Sequence, residues 1–204
     1  MTDDRARWNE KYSTDEAFEL PTDPIPELAR RVDTLPTGRA LDVATGTGRN
    51  ARFLAAEGYD VDAVDVSDEA LDQARQAADE TDVDVNWIRA DVDDFEFEPD
   101  AYDVITVSFF AMLDRIPDLT AALAPGGVLV YEQHLRSSDD IDIGPSSDRF
   151  RYPANHLLHA CLDLTILHYE ERTRPDERGR TQAVATLVGR QSAGGAQSYP
   201  RLAE

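Results

Sequence analysis

The stretch Ala40, Leu41, Asp42, Val43, Ala44, Thr45, Gly46, Thr47, Gly48, Arg49, Asn50, Ala51 constrains the fold of this chain more than any other. An apolar run ends in a turn carrying two glycines, and helix-forming residues follow at once, so a strand, a tight turn and a helix start are compressed into one short segment. Glycine in such a turn lets the backbone approach a ligand where a Cβ would collide. A nucleotide-like ligand is therefore expected at this loop.

The pattern continues on both sides. Arg39–Ala44, Asp60–Asp65, Asp84–Arg89, Tyr102–Val107 and Gly127–His134 read as strands, and Gly48–Glu57 and Asp68–Glu80 as helices. Alternation of this kind builds βαβ units around a parallel sheet. Two helical segments precede the first strand, Thr2–Tyr12 and Pro26–Val32. Beyond His134 a polar loop, Ser137–Ser147, leads into an expected helix, Ala154–Cys161. The strand-like runs Leu164–Glu171 and Gln182–Arg190, joined by the charged turn Pro175–Arg180, are expected to close the fold as an antiparallel pair. The prediction is an α/β fold, a Rossmann-like three-layer α-β-α sandwich on a mostly parallel seven-stranded sheet. Residues 1–191 form one domain in this reading, with N-terminal lid helices in 1–37 and a substrate-side insertion at 135–161. The tail 192–204, rich in Gly, Ser and Ala, is expected to be disordered.

Composition narrows the partners. Of 204 residues 41 are acidic and 20 basic, a net charge of −21, which argues against nucleic acid and anionic membrane surfaces as general partners. Lys11 is the only lysine and the acids are scattered, which suits a surface adapted to high salt and implies a halophilic source. No apolar run approaches the ~20 residues that cross a bilayer and the charged N-terminus does not resemble a signal peptide, so a cytoplasmic protein is expected. Cys161 is the single cysteine, expected to be a buried structural thiol. His156 and His159 are three apart on one expected helix with no evident third ligand, so no metal is expected. A monomer or homodimer is expected.

The glycines alone leave two cofactors open. Gly46, Gly48 and Ala51, with Asp65 about 20 residues on, satisfy the loose dinucleotide fingerprint, which keeps a nicotinamide-dependent oxidoreductase in play. Asp42, at the tip of the first strand, suits the cationic amino end of a methionine moiety and would repel a pyrophosphate. Asp91, beyond the third strand, is placed to face an adenine amino group. These acids and the helices before the first strand favour S-adenosylmethionine, with S-adenosylhomocysteine as product.

At these residues the chain resembles the class I S-adenosylmethionine-dependent methyltransferases, from Trp8 to Arg190. The resemblance implies that the loop from Asp42 to Gly48 wraps the methionine part, that Asp65 holds the ribose hydroxyls and that Asp91 meets adenine. It implies cofactor-binding positions at Tyr12, Asp42, Ala44, Thr45, Gly46, Gly48, Asn50, Asp65, Val66, Asp91, Val92 and Ser108. Ala44 stands where the family's loop has its first glycine, a small intrusion expected to need only modest adjustment. Ser108, Phe109 and Phe110 match the segment that lines the path to the reactive methyl, and Leu123–Gly127 matches the approach to the fifth strand. Trp8–Tyr12 is similar to the lid of the small-molecule branch. Asn155, His156 and Leu157 with Leu167–Glu171 are similar to the tellurite-resistance methyltransferases.

The implied reaction is methyl transfer to a small-molecule acceptor; the alternatives are the oxidoreductase and a non-catalytic S-adenosylmethionine-binding protein. His134, ending the fifth strand on the ligand side of an open α/β sheet, is the candidate general base, with Tyr152 second. Phe109, Phe110, Arg149 and His156 are assigned to the substrate side, with one of the two phenylalanines expected in the pocket and the other in the core. Arg149, with Arg136 and Arg151, either binds an anionic substrate or pairs with nearby aspartates.

Overall fold

The structure, a computed structural model, describes residues 4–14, 21–176 and 178–199. Residues 2 and 3 of the expected first helix and 200–204 of the tail lie outside the described residues. Helices α1 (Asp4–Thr14) and α2 (Pro26–Arg31) come first. Then β1 (Arg39–Val43), α3 (Arg49–Ala56), β2 (Asp60–Asp65), α4 (Asp68–Asp79), β3 (Asn86–Arg89) and β4 (Tyr102–Ser108) alternate. Helix α5 (Ile116–Ala122) and strand β5 (Leu123–His134) follow, and α6 (His156–Ala160), β6 (Thr165–Pro175) and β7 (Thr181–Arg190) complete the chain.

The sheet has seven strands in the order β3-β2-β1-β4-β5-β7-β6. The first five strands run parallel, and β7 pairs antiparallel with both β5 and β6. Strand order reverses between β1 and β4, so a crevice opens beyond their C-terminal ends, where open α/β sheets bind ligands. Both faces of the sheet are covered, which explains the near-continuous apolar strands. Leu41, Ile105, Leu129 and Tyr131 pack on one face; Ala40, Val104, Val128 and Val130 pack on the other, against Leu28 and Leu54 of the helices.

Helix starts follow local chemistry. Ser67 caps α4 by accepting from the Ala70 amide at 3.2 Å. Pro26 opens α2, where a missing N–H costs nothing. Helix α5 has no counterpart among the expected elements: it is seven residues long, and its buried positions are only Ile116, Leu119 and Ala122. So few turns leave little periodicity to read. β5 starts at Leu123, four residues before the expected Gly127, and β6 runs to Pro175 instead of ending at Glu171. That last extension brings two more arginines onto the sheet. Residues 192–199 form no helix or strand, yet Arg190 donates to Gln197 and Ser198, drawing the segment back onto β7.

Candidate active site

A cavity of about 1060 Å³ lies in the crevice at the C-terminal ends of the parallel strands. Its first half is the glycine loop. Gly46 (φ 56°) and Gly48 (φ 76°) take left-handed backbone, and a Cβ on Gly48 would stand 2.6 Å from Trp87 of β3. A Cβ on Gly46 would stand 2.8 Å from the Tyr12 hydroxyl, so α1 lies directly over the loop. Ala44 is also left-handed (φ 52°). The glycine-to-alanine departure therefore strains the backbone, at about 1 kcal/mol.

Asp65, at the end of β2, is the acid of this half. Its Oδ2 accepts from the Gly46 amide (2.8 Å) and its Oδ1 from the Ser67 amide (2.9 Å), so one carboxylate ties the loop to the start of α4. Burial pushes its pKa up, and the amides of Ser67, Gly46 and Val66 pull it back. Burial, then the Asp65 charge, raises the pKa of Tyr12 and keeps its hydroxyl protonated. Asp91 lines the same half, and its Oδ1 accepts from the Asp93 amide at 3.0 Å.

Tyr12, Ala44, Thr45, Gly46, Asp65, Val66, Asp91, Val92 and Ser108 all line the cavity. Asp42, Gly48 and Asn50 do not. Asp42 is buried beneath the loop, accepting from Thr45 Oγ1 and Thr106 Oγ1 (both 2.6 Å) and from Asn50 Nδ2 (3.4 Å). Burial raises its pKa against those three donors. Asn50 in turn accepts from the Ile25 amide at 3.0 Å, joining the loop to the entrance of α2. The negative charge of Asp42 thus braces the turn from behind. Gly48 lies behind it because Trp87 fills the space on its outer side.

The second half begins at the end of β4. Phe109 is left-handed (φ 55°), and its ring stacks on His134 with centroids 4.2 Å apart and planes 15° apart. The Arg49 guanidinium lies 5.5 Å from the Phe109 ring centre and donates to Ser108 Oγ (3.2 Å) and the Asp23 carbonyl (2.7 Å). A bulky residue held at positive φ is the kind of strain that folds retain at functional positions. Both Phe109 and Phe110 line the cavity, and of the two only Phe110 also packs against the core, so the expected division into one core and one pocket residue holds in part. Two residues at the strand end leave the pleat, so side-chain alternation no longer separates them.

His134 lines the cavity; its Nδ1 is buried with no hydrogen-bond partner among the described residues. Burial, then the charges of Arg151 and Arg174, push its pKa down to about 4. It is neutral at pH 7 and a weak base. Tyr152 does not line the cavity. Its hydroxyl lies 2.7 Å from that of Tyr131 and accepts from the Met112 amide (2.8 Å), so it is a core link between β5 and the segment after β4. His156 is exposed at the start of α6, outside the cavity wall, because Leu157 is the residue that α6 buries. Arg149 does line the cavity. Cys161 is buried and its pKa pushed up to about 12, an inert thiol.

Several wall residues have no place among the expected positions. Glu132 lies two residues before His134 and shares its face of β5, a relation that the period-two rule makes readable. Arg172 and Arg174 reach the wall only because β6 packs beyond β7, and no local signal marks them. Glu132 is fully buried; it accepts from Arg174 Nη2 at 2.7 Å and Thr186 Oγ1 at 3.1 Å, a link from β5 across β7 to β6.

Residues 40–127 match the family described as methyltransferase domain. The chain is 34% identical over 108 residues to the demethylmenaquinone methyltransferase of Clavibacter sepedonicus, a match covering 50% of this chain and 43% of that protein. It is also 34% identical over 158 residues to a ubiquinone biosynthesis O-methyltransferase of Xanthomonas campestris pv. campestris (strain B100), covering 74% and 62%. The chain thus spans less than two thirds of the length of these relatives. Among solved structures, TehB from Haemophilus influenzae superposes with a TM-score of 0.71 at 18% identity, covering 90% of this chain and 67% of that one, a likeness of fold. The matched segment, which carries β1 from Ala40, the glycine loop, Asp65, strands β2 to β4 and the start of β5, is that of a methyltransferase domain.

Proposed function

We propose that this protein transfers a methyl group from S-adenosylmethionine to a small-molecule acceptor. The observation that carries the reading is one continuous cavity joining the glycine loop and Asp65 to the Phe109–His134 stack. At about 1060 Å³ it is at the top of the range for single-ligand pockets and so suits a cofactor with an acceptor beside it.

The residues present fit the cofactor. Asp65 accepts the Gly46 amide on one oxygen and the Ser67 amide on the other, and its carboxylate keeps acceptor capacity for a ribose hydroxyl. The backbone of Ala44–Thr47 would follow the methionine part, with Asp91 and Val92 beside the adenine. When bound, S-adenosylmethionine supplies a methyl already activated on a sulfonium, which leaves as the neutral thioether. The protein's part is then to orient the acceptor and exclude water. Tyr12, over the loop, closes one side, and the strained Phe109 fixes the other. His134, neutral with a pKa near 4, offers a lone pair and little proton affinity, which favours acceptors that arrive deprotonated or with a free lone pair. O-methylation, as named for the Xanthomonas relative, fits this scheme when the oxygen is ionised before it binds.

Calorimetry separates the readings. S-adenosylmethionine and S-adenosylhomocysteine are expected to bind and NAD is not, and Asp65→Ala is expected to weaken binding by about 2 kcal/mol through lost hydrogen bonds. NAD binding without S-adenosylmethionine binding establishes the oxidoreductase instead. Cofactor binding with no methylated product from any acceptor leaves the non-catalytic alternative.

A further inference from the structure

In a chain with 41 acids and 20 bases, an arginine beside a cavity is expected to have an acid partner. In the half of the cavity beyond Phe109, Arg149 departs from this and Arg174 has donors to spare. Among the described residues, the Arg149 guanidinium meets no carboxylate; it lies 4.3 Å from the Phe150 ring centre. Arg174, only 15% exposed, uses Nη2 on Glu132, and no acceptor meets its Nε or Nη1 among the described residues. The acids of this wall are already engaged. Glu132 accepts from Arg174 and Thr186, Asp142 from the Thr181 amide at 2.7 Å, and Asp176 from the amide and guanidinium of Arg180.

The placement is built into the sheet. On β6, Arg172 and Arg174 are two apart and share a face. Across the sheet His134 pairs with Val184 and Val184 with Arg172, so these side chains stand in one row on the side that carries Glu132. Arg174 reaches past β7 to that carboxylate, which fixes its planar fork at the cavity wall. A buried guanidinium oriented by one carboxylate and holding further donors is suited to a second anion. The overall charge of −21 would repel such an anion at a distance, so recognition has to be local.

We infer that the methyl acceptor carries an anionic group, a carboxylate or an inorganic oxyanion, which binds between Arg174 and Arg149 beside His134. The inference rests on the methyltransferase reading for the word acceptor, whereas the anion site stands on its own geometry. Burial, with the charges of Arg151 and Arg174, keeps the His134 ring neutral, so the positive charge beside it is carried by arginine and not by the imidazole.

The test uses the full chain loaded with S-adenosylhomocysteine, titrated calorimetrically at constant ionic strength with benzoate, sulfate and the neutral control benzamide. At least one anion is expected to bind about tenfold or more tightly than benzamide. Preference for benzoate identifies a carboxylate and preference for sulfate an inorganic oxyanion. Arg149→Gln, an exposed position, is expected to weaken the favoured anion by about tenfold with unchanged S-adenosylhomocysteine affinity. Because Arg174→Gln alone would strand the buried Glu132, the second variant is Glu132→Gln with Arg174→Gln, with the same expected result. Equal binding of benzoate, sulfate and benzamide, no anion binding into the millimolar range, or unaltered anion affinity in both variants overturns the inference. Failure of S-adenosylhomocysteine to bind overturns the functional reading instead, and the anion titration of the unloaded chain still decides the anion site.

Discussion

At one end of the cavity the wall from Ala44 to Val66 belongs to a single βαβ unit, and the bonds made by Thr45, Gly46 and Asp65 stay within that unit or reach the start of α4. At the other end Glu132, Arg149 and Arg174 come from three separate segments, and the bond that joins the first to the last spans 42 residues. The first end is rigid for local reasons: left-handed turns and a carboxylate on two backbone amides. The second is held by the packing of β7 between β5 and β6. The lesson is that a cofactor loop travels as a local unit, while the acceptor wall depends on the whole sheet.

That contrast can be broken most sharply at Gly48. A Cβ there faces Trp87 at 2.6 Å and a φ of 76°, so Gly48→Ala is expected to lower stability by about 3 kcal/mol, measured by denaturant unfolding with S-adenosylhomocysteine absent. A loss under 1 kcal/mol would mean the loop relaxes easily and is not the stiffer end.

A pH measurement probes the far end. The pKa of His134 lies near 4 when folded and near 6.5 when unfolded, so the unfolded chain binds the extra proton between those values. Its contribution to stability is lost as pH falls from 6.5 towards 4 and regained as pH rises. The fall is worth up to about 3 kcal/mol from this group. His134→Gln is expected to flatten the unfolding free energy over that window relative to the parent. Parallel curves would show that the ring is solvated and the acceptor wall open.

The smallest effect is expected at Ala44. With φ at 52°, Ala44→Gly relieves left-handed strain and is expected to raise stability by about 1 kcal/mol, read as a higher unfolding midpoint at unchanged denaturant slope. A destabilised Ala44→Gly protein would mean that the alanine methyl contributes packing that the φ argument omits.

Legibility followed the same division. The parallel strands, the cap at Ser67 and the left-handed glycines are written in period, turn chemistry and spacing, which depend on neighbours a few residues away. Helix α5 escaped because seven residues display too little periodicity. Asp42 was readable as an acid at a strand tip but not in its direction, since Thr106 of β4, which turns it under the loop, lies 64 residues away.

The sequence by itself determined the seven strands and every helix but α5, the glycine loop, the acid at the end of β2 and the excess of negative charge. Each of these depends on local conformational preference or on a sum over residues. Only the tertiary structure decided that Tyr12 lies over the loop, that Tyr152 joins the core, that His134 is neutral between two arginines, and that Arg174 reaches the cavity wall. Desolvation and charge–charge energies depend on distances across the sheet, and those distances exist only once β7 has docked between β5 and β6.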